Sequence, residues 1–375
     1  MTEAALVVML GGMAGGRLER LMRDALEASA LDTIDTALAT GRFAHAILLA
    51  DAPPTLAIPA GVAVEIDDAL TPFQYGERLA TAVARHGIER LVYVGGGSGP
   101  LLTGEHFVAL ADGISGPDAC CVTNNAYSAD FFAVSPAGVI AALDPPPAAD
   151  NGVPRRLREQ HGVAVAELPR STETQLNLDS PTDLAALALS GRGGSRLAAR
   201  LARWAPDTDR LARAARVFTD RQAEVLVAGR VGSLAWQYLE RETACRIRML
   251  AEERGMTAAG RDADGGARSL LGQLMAAVGA ERFFGELLPE LCDAAWIDIR
   301  PALVHLGLYA TPADRFAADA GLPDEIAEPG LRTLVRAAHC APIPVVLGGH
   351  TLVAGALMLL NDWAWAEHDR RVGAG

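Results

Sequence analysis

Residues 4–17 read AALVVMLGGMAGGR, and no other stretch of the 375-residue chain constrains the fold as tightly. Leu6, Val7, Val8, Met9 and Leu10 form an uninterrupted apolar run, the pattern of a strand covered on both faces in a parallel sheet. Gly11, Gly12, Gly15 and Gly16 follow at once. Lacking Cβ atoms, they let the backbone turn sharply and bring its N–H groups against an anion, while the next helix adds the positive end of its dipole. Arg17 supplies a full charge. The stretch predicts a strand, a loop at phosphate height and a helix start; a tight turn with a purely structural role is the alternative.

The chain then repeats that unit. Residues 18–39 carry Leu18, Leu21, Met22, Ala25 and Leu26 on one helical face, and residues 44–50 form a second apolar strand that stops at Asp51 and the Pro53-Pro54 pair. A short strand at 62–66, an amphipathic helix at 74–86 and a strand at 90–94 follow. Strand and helix alternating in this way predict an α/β domain with a doubly wound, mostly parallel sheet, whose ligands bind at the carboxyl ends of its strands.

Composition removes several functions. All 33 basic residues are arginine, so a Walker A loop, which requires Gly-Lys-Ser/Thr, is excluded, and no lysine can act as base or phosphate ligand. The glycines fall as GGxxGG, which is not the GxGxxG of dinucleotide-binding turns. A formal charge of −13 argues against a nucleic-acid partner. Five cysteines without a CxxC pair fit reduced thiols in the cytoplasm, and the first apolar run breaks at Gly11 with no basic segment ahead of it, unlike a signal peptide. Residues 343–360 are the strongest membrane candidate, but they contain Pro344, Gly348, Gly349 and His350, and the continuous apolar part is about half the ~20 residues a span needs. A buried core helix in a cytoplasmic protein without membrane contact is expected there.

Three further segments carry polar residues at strand ends. Residues 95–103 read GGGSGPLLT and place Gly97 and Ser98 after the fourth strand. Residues 120–130, CCVTNNAYSAD, place Asn124 and Asn125 where they line a sugar or base pocket or form an Asx turn. Arg155, Arg156 and Arg158 open a helix after the proline-rich loop at 144–154, either to hold phosphates or as a solvated face. After a last strand at 164–168 comes QLNLDSPTDL at 175–184, in which Ser180 is an N-cap, Pro181 suits the first helical position and Asp183 faces the helix dipole. Capping leaves Asn177 and Asp179 unexplained.

Residues 10–17 resemble the LAGGxGxR signature of the nucleotidyltransferases with a glycosyltransferase-A-like fold, among them the molybdenum-cofactor guanylyltransferases and sugar-nucleotide pyrophosphorylases. Gly12, Gly15 and Arg17 match, Met13 stands at the second glycine, and the lysine after the arginine is absent. Pro100-Leu101-Leu102-Thr103 is similar to the family's GxDxPLLT, with Ser98 and Gly99 where its metal-holding aspartate stands, and residues 177–184 resemble its NIDTPEDL. The likeness covers residues 4–188. It implies a Rossmann-like domain that rests the phosphates of a nucleoside triphosphate on Leu10, Gly11, Gly12, Gly15, Gly16 and Arg17. Gly97, Ser98, Asn124 and Asn125 then line the nucleotide, and Arg20 or Arg23 stands in for the lysine. Arg17, Asn177 and Asp179 would be catalytic, with Asp179 and Asn177 as ligands of Mg²⁺, while a small phosphorylated or acidic acceptor attacks the α-phosphorus. A non-catalytic nucleotide- or metabolite-binding module, and a glycosyltransferase using a nucleotide sugar, are the alternatives.

Beyond residue 189 the pattern changes. Residues 190–195, SGRGGS, read as a flexible linker, and helical spacing recurs at 196–205, 209–218, 234–255, 267–278 and 352–365. The expected division is an α/β domain at 1–189, a linker at 190–195 and an all-helical domain at 196–375 that could mediate homo-oligomers. In that half, Asp262-Ala263-Asp264 matches a DxD but lies outside the sheet domain, and His339, Cys340 and His350 lack zinc-ligand spacing. Glu240, Glu242, Arg246 and Arg248 read as ion pairs on one long helix; Arg230, Trp236 and Tyr238 either close over the nucleotide or pack between helices.

Overall fold

The computed structural model describes residues 3–12, 15–68, 70–257 and 259–373. Met13 and Ala14, inside the glycine stretch, lie outside the described residues. The chain divides into two compact units: Met1–Met13, Arg23–Asn177 and Gly193–Arg200 form the first, and Ala14–Met22, Leu178–Arg192 and Leu201–Gly375 the second.

The first unit holds a seven-stranded sheet of β1 (Ala4–Leu10), β2 (Phe43–Ala50), β3 (Val62–Ile66), β4 (Leu91–Gly95), β5 (Cys120–Thr123), β6 (Phe131–Ser135) and β7 (Ala164–Glu167), in the order β3-β2-β1-β4-β6-β5-β7. β1 runs parallel to both neighbours, with Val7 opposite Ile47 on one side and Tyr93 on the other, while β6 is antiparallel to β4 and β5. Leu6, Val7 and Val8 are fully buried, as an apolar run between two covered faces requires. The helix Tyr75–Arg85 places Tyr75, Leu79, Ala82 and Val83 on that core, where Tyr75 meets Tyr93 edge-on and Tyr93 stacks on Phe132 at 5.0 Å. From β1 the chain passes to β2 and β3 on one side and then crosses to β4 on the other. The switch point of the sheet therefore lies between β1 and β4, where the mostly parallel α/β reading of the sequence puts the ligand.

The division of the chain differs from a sequential one. After the last strand of the first sheet, residues 168–177 still belong to the first unit, second-unit residues begin at Leu178, and residues 193–200 return to the first unit. Asp32 accepts hydrogen bonds from the Arg196 and Leu197 amides at 3.2 and 2.9 Å, and the Arg196 guanidinium also reaches Asp35 at 2.5 Å. A Cβ on Gly194 would collide with Asp32. These glycines are thus not a free linker: close approach to a carboxylate, rather than flexibility, explains Gly194.

The second unit is rich in helices, as expected, but it is not all-helical. It contains an all-parallel sheet of β8 (Glu224–Gly229), β9 (Arg246–Ala251), β10 (Ala294–Asp298) and β11 (Val345–Gly348), in the order β11-β10-β8-β9. The region read as one helix over 234–255 is a helix, Ser233–Glu242, followed by β9. Arg246 and Arg248 consequently pair with Glu224 of β8 across the sheet, at 3.3 and 2.5 Å, not along a helix. β8, β10 and β11 are short apolar runs buried on both faces, and periodicity cannot separate such strands from pieces of core helix. The run at 343–360 likewise divides into β11 and the helix Gly355–Gly373; among the described residues no helix is long and apolar enough to cross a membrane. Trp296 of β10 is fully buried and stacks on Phe218 with ring centroids 5.3 Å apart.

Gly229 ends β8 at φ +113°, and a Cβ there would lie 2.5 Å from the Asp298 carbonyl oxygen. Gly229→Ala is expected to cost on the order of 3 kcal/mol in chemical denaturation, combining backbone strain with a clash. Gly87→Ala, at φ +59° with open space around it, should cost about 1 kcal/mol through strain alone. Equal costs would contradict the close approach of β8 and β10.

Candidate functional site

Three segments singled out in the sequence meet in the first unit at the carboxyl ends of β1 and β4. The Gly96 amide donates to the Met9 carbonyl at 2.7 Å, and a Cβ on Gly96 would stand 2.9 Å from Leu10 Cδ1, so only glycine lets the two strand ends close. Gly97 forms the turn that follows, Ser98 bridges to Asn177, and the Gly99 amide donates to Asn177 Oδ1 at 3.4 Å. Leu10 is buried and accepts the Asp51 amide through its carbonyl at 3.2 Å. Gly11 and Gly12 are exposed, and Gly12, at φ +83°, donates its amide to Asp51 Oδ2 at 3.0 Å. Arg23 pairs with Asp51 Oδ1. Gly11 also touches this carboxylate, since its Cβ would lie 3.3 Å away.

Asn124 and Asn125 are occupied by their own loop. Buried Asn124 donates to Asp130 Oδ2 at 2.7 Å and to the Thr174 carbonyl at 3.1 Å, and its Oδ1 accepts the Asp130 amide. Asn125 Oδ1 accepts the Tyr127 and Ser128 amides, the geometry of an Asx turn. The arginine cluster is similarly committed: Arg155 faces Glu159, Arg156 donates to the Pro145 carbonyl, and Arg158 lies over the Tyr127 ring at 5.3 Å.

Two carboxylates near the site escaped the sequence reading. Asp51 was visible only as the residue that ends β2; its neighbour across the sheet, the turn after β1, is what makes it important. Asp150 sits in the proline-rich loop, yet its Oδ2 accepts the Tyr93 hydroxyl at 3.2 Å and would be 3.5 Å from a Cβ on Gly95. Burial, followed by the charges of Tyr75 and Asp150, pushes the Tyr93 phenol well above its usual range, so it remains a donor.

The remaining predicted residues belong to the second unit. Gly15 has φ +134°, and Cβ atoms on Gly15 and Gly16 would stand 2.9 and 2.7 Å from the Glu19 carboxylate. Arg20 donates to the Gly15 carbonyl at 2.7 Å, and Arg17 pairs with Glu325 at 2.5 Å. Both members of that pair are about half exposed, so the pair adds little stability and an anion can compete for Arg17. Asp179 is exposed; its Oδ2 accepts the Thr351 hydroxyl at 2.7 Å and its amide donates to Asp183. Asn177 Oδ1 and Asp179 Oδ2 each already accept a hydrogen bond, and among the described residues no three His, Cys, Asp or Glu side chains stand together. Mg²⁺ usually takes one or two protein carboxylates and completes its shell with water and phosphate oxygens, so of this pair Asp179 is the carboxylate that would hold it.

Other side chains weighed in the second half have structural partners. Arg230 holds Asp298 through Nε at 2.5 Å and Nη2 at 3.2 Å, at the switch point between β8 and β10, and is not free to reach a nucleotide. Burial opposes the charge on Arg230, but Asp298 outweighs it and raises the guanidinium pKa. Tyr238 donates towards Asp362 and the Met358 carbonyl. Asp262 accepts the amide of Ala263, as in a local turn.

Asp183 confirms the capping role and adds a titration. Its Oδ2 accepts the Asp179 and Ser180 amides and the Ser180 hydroxyl, while its buried Oδ1 has no partner. Burial, and then the Asp179 charge, push this carboxyl well above its usual range. The folded protein therefore holds the proton longer than the unfolded chain. The contribution is fully favourable below the unfolded value of about 3.9 and declines as pH rises towards the folded one. Thermal melts of wild type and Asp183→Asn from pH 5 to 8 should diverge in favour of Asn as pH increases; a pH-independent difference would contradict the assignment.

No family model matches the chain, and no curated protein matches it. Solved structures resemble part of it. A protein from Desulfovibrio desulfuricans designated a nucleotide-diphospho-sugar transferase is 13% identical over 54% of this chain and 99% of its own, with a TM-score of 0.38. CMP:2-keto-3-deoxy-manno-octonic acid synthetase complexed with CTP is 13% identical over 49% of this chain and 95% of its own, TM-score 0.35. A cytidylyltransferase from Leptospira borgpetersenii is 14% identical over 54% of this chain and 94% of its own, TM-score 0.36. The chain is thus similar, over about half its length, to structures of nucleotidyl- and sugar-transferases.

Proposed function

We propose that the chain is a nucleotidyltransferase-like protein that binds a nucleoside triphosphate at the switch point of its first sheet and transfers the nucleotidyl group to a small phosphorylated or acidic acceptor. One observation carries the reading: the glycine turn after β1, the Gly95–Gly99 turn after β4 and Asn177 converge through the Gly96–Met9 and Gly99–Asn177 hydrogen bonds. A glycine turn at a strand's carboxyl end suits a phosphate, and the turn after β4 suits the sugar or base. Such transfers depend on positioning and charge neutralisation, for which Arg17, Arg20 and Arg23 are the cations nearest the glycines in sequence. No step is assigned to a protein-held metal, and Mg²⁺ enters the proposal as the ion that accompanies a triphosphate. A non-catalytic nucleotide-binding module is the second reading, favoured by the absence of the family lysine and strand-end aspartate.

Calorimetric titration with CTP, GTP and ATP, with and without Mg²⁺, tests the reading. At least one nucleotide should bind, and Arg17→Ala should weaken it roughly tenfold or more by removing a charge-assisted contact, with an unchanged melting temperature because the Glu325 pair is exposed. Release of pyrophosphate on adding an acceptor would separate the transferase from the binding module. Binding of no nucleotide would refute both.

A further inference from the structure

We propose that Asp51 is an internal anion that occupies the phosphate position of the glycine turn, so that the turn takes a nucleotide only when Asp51 releases Gly12 and Arg23. The inference rests on the nucleotide reading and adds to it a residue that sets affinity. The Gly12 amide donates to Asp51 Oδ2 at 3.0 Å and Arg23 pairs with Oδ1, so one carboxylate receives an amide and a guanidinium, the two donors that a phosphate oxygen would receive there. Carboxylate and phosphate compete for the same donors. The Asp51 side chain is 39% exposed, whereas Arg23 is 14% exposed. Among the described residues, a Cβ on Gly12 would meet nothing within 4 Å. Once Asp51 moves away, the Gly12 amide and Arg23 are left facing the same vacated place.

The test is a titration of inorganic pyrophosphate and of CTP in EDTA on the full chain, comparing wild type, Asp51→Asn, Asp51→Ala and Arg23→Gln. Asp51→Asn keeps the shape of the side chain and an oxygen for Gly12 but removes the charge, and Asp51→Ala removes both. Each should bind pyrophosphate and CTP at least roughly tenfold more tightly than wild type, the scale of one charge-assisted contact, and Arg23→Gln should bind more weakly. Wild-type affinity in both Asp51 variants would overturn the proposal while leaving the nucleotide reading intact. Weaker binding in both would also overturn it, since Asp51 would then be holding the ligand or its cation. If none of the four proteins binds either anion, in EDTA or when the titration is repeated with Mg²⁺, Asp51 is a brace for the turn, and the nucleotide reading fails with the proposal.

Discussion

The register of β1 between β2 and β4 decides where the charged groups of the first unit come to lie. Parallel pairing brings the carboxyl ends of all three strands to one edge, so the turn after β1 meets the residue that ends β2 and the turn that follows β4. A shift of one residue would turn Val7 away from its core face and carry Asp51 away from Gly12. The apolar packing of Val7, Ile47 and Tyr93 therefore holds the polar arrangement in place, although none of these side chains carries chemistry.

A chain without lysine, with a surplus of acid, has repeatedly satisfied turn and helix-start backbone donors with its own carboxyl groups. Asp51 takes the Gly12 amide, Asp32 the amides of Arg196 and Leu197, Asp183 those of Asp179 and Ser180, and Asp298 the amide of Arg230. Several are glycine-rich places where a phosphate would otherwise be sought. Such carboxyl groups stabilise the turns whose amides they accept. Glycine therefore has two meanings in this chain: at Gly12 it permits a left-handed turn, whereas at Gly194 and Gly229 it lets backbone approach a carboxylate-bearing residue.

The strands and helices of the first sheet were legible because apolar runs of five to seven residues alternated with amphipathic helices and ended at Gly, Pro or Asp. The second sheet was not, because β8, β10 and β11 are short runs without alternation, and β9 follows a helix after only a few residues. Leu176 and Leu178 flank Asn177 in the core, which made 175–184 readable as a strand end and cap, but the passage of the chain into the second unit at Leu178 left no local mark. Of the candidate site, the glycine turn, Ser98 and Asn177 were visible from motif spacing. Asp51 and Asp150 were hidden, since each matters through a partner far away in sequence, and Asn124 and Asn125 stayed open between a pocket and a turn because Asx-turn residues and ligand-binding residues share one composition.

The central claim is that the turns after β1 and β4 form one nucleotide site. It is tested most directly by amide resonances in ¹⁵N-labelled protein titrated with CTP. The account predicts that Gly12 and Gly96 shift together and saturate at one nucleotide concentration, while Gly229, whose close approach to Asp298 is structural, stays in place. Nucleotide binding that leaves Gly12 and Gly96 unmoved would contradict it.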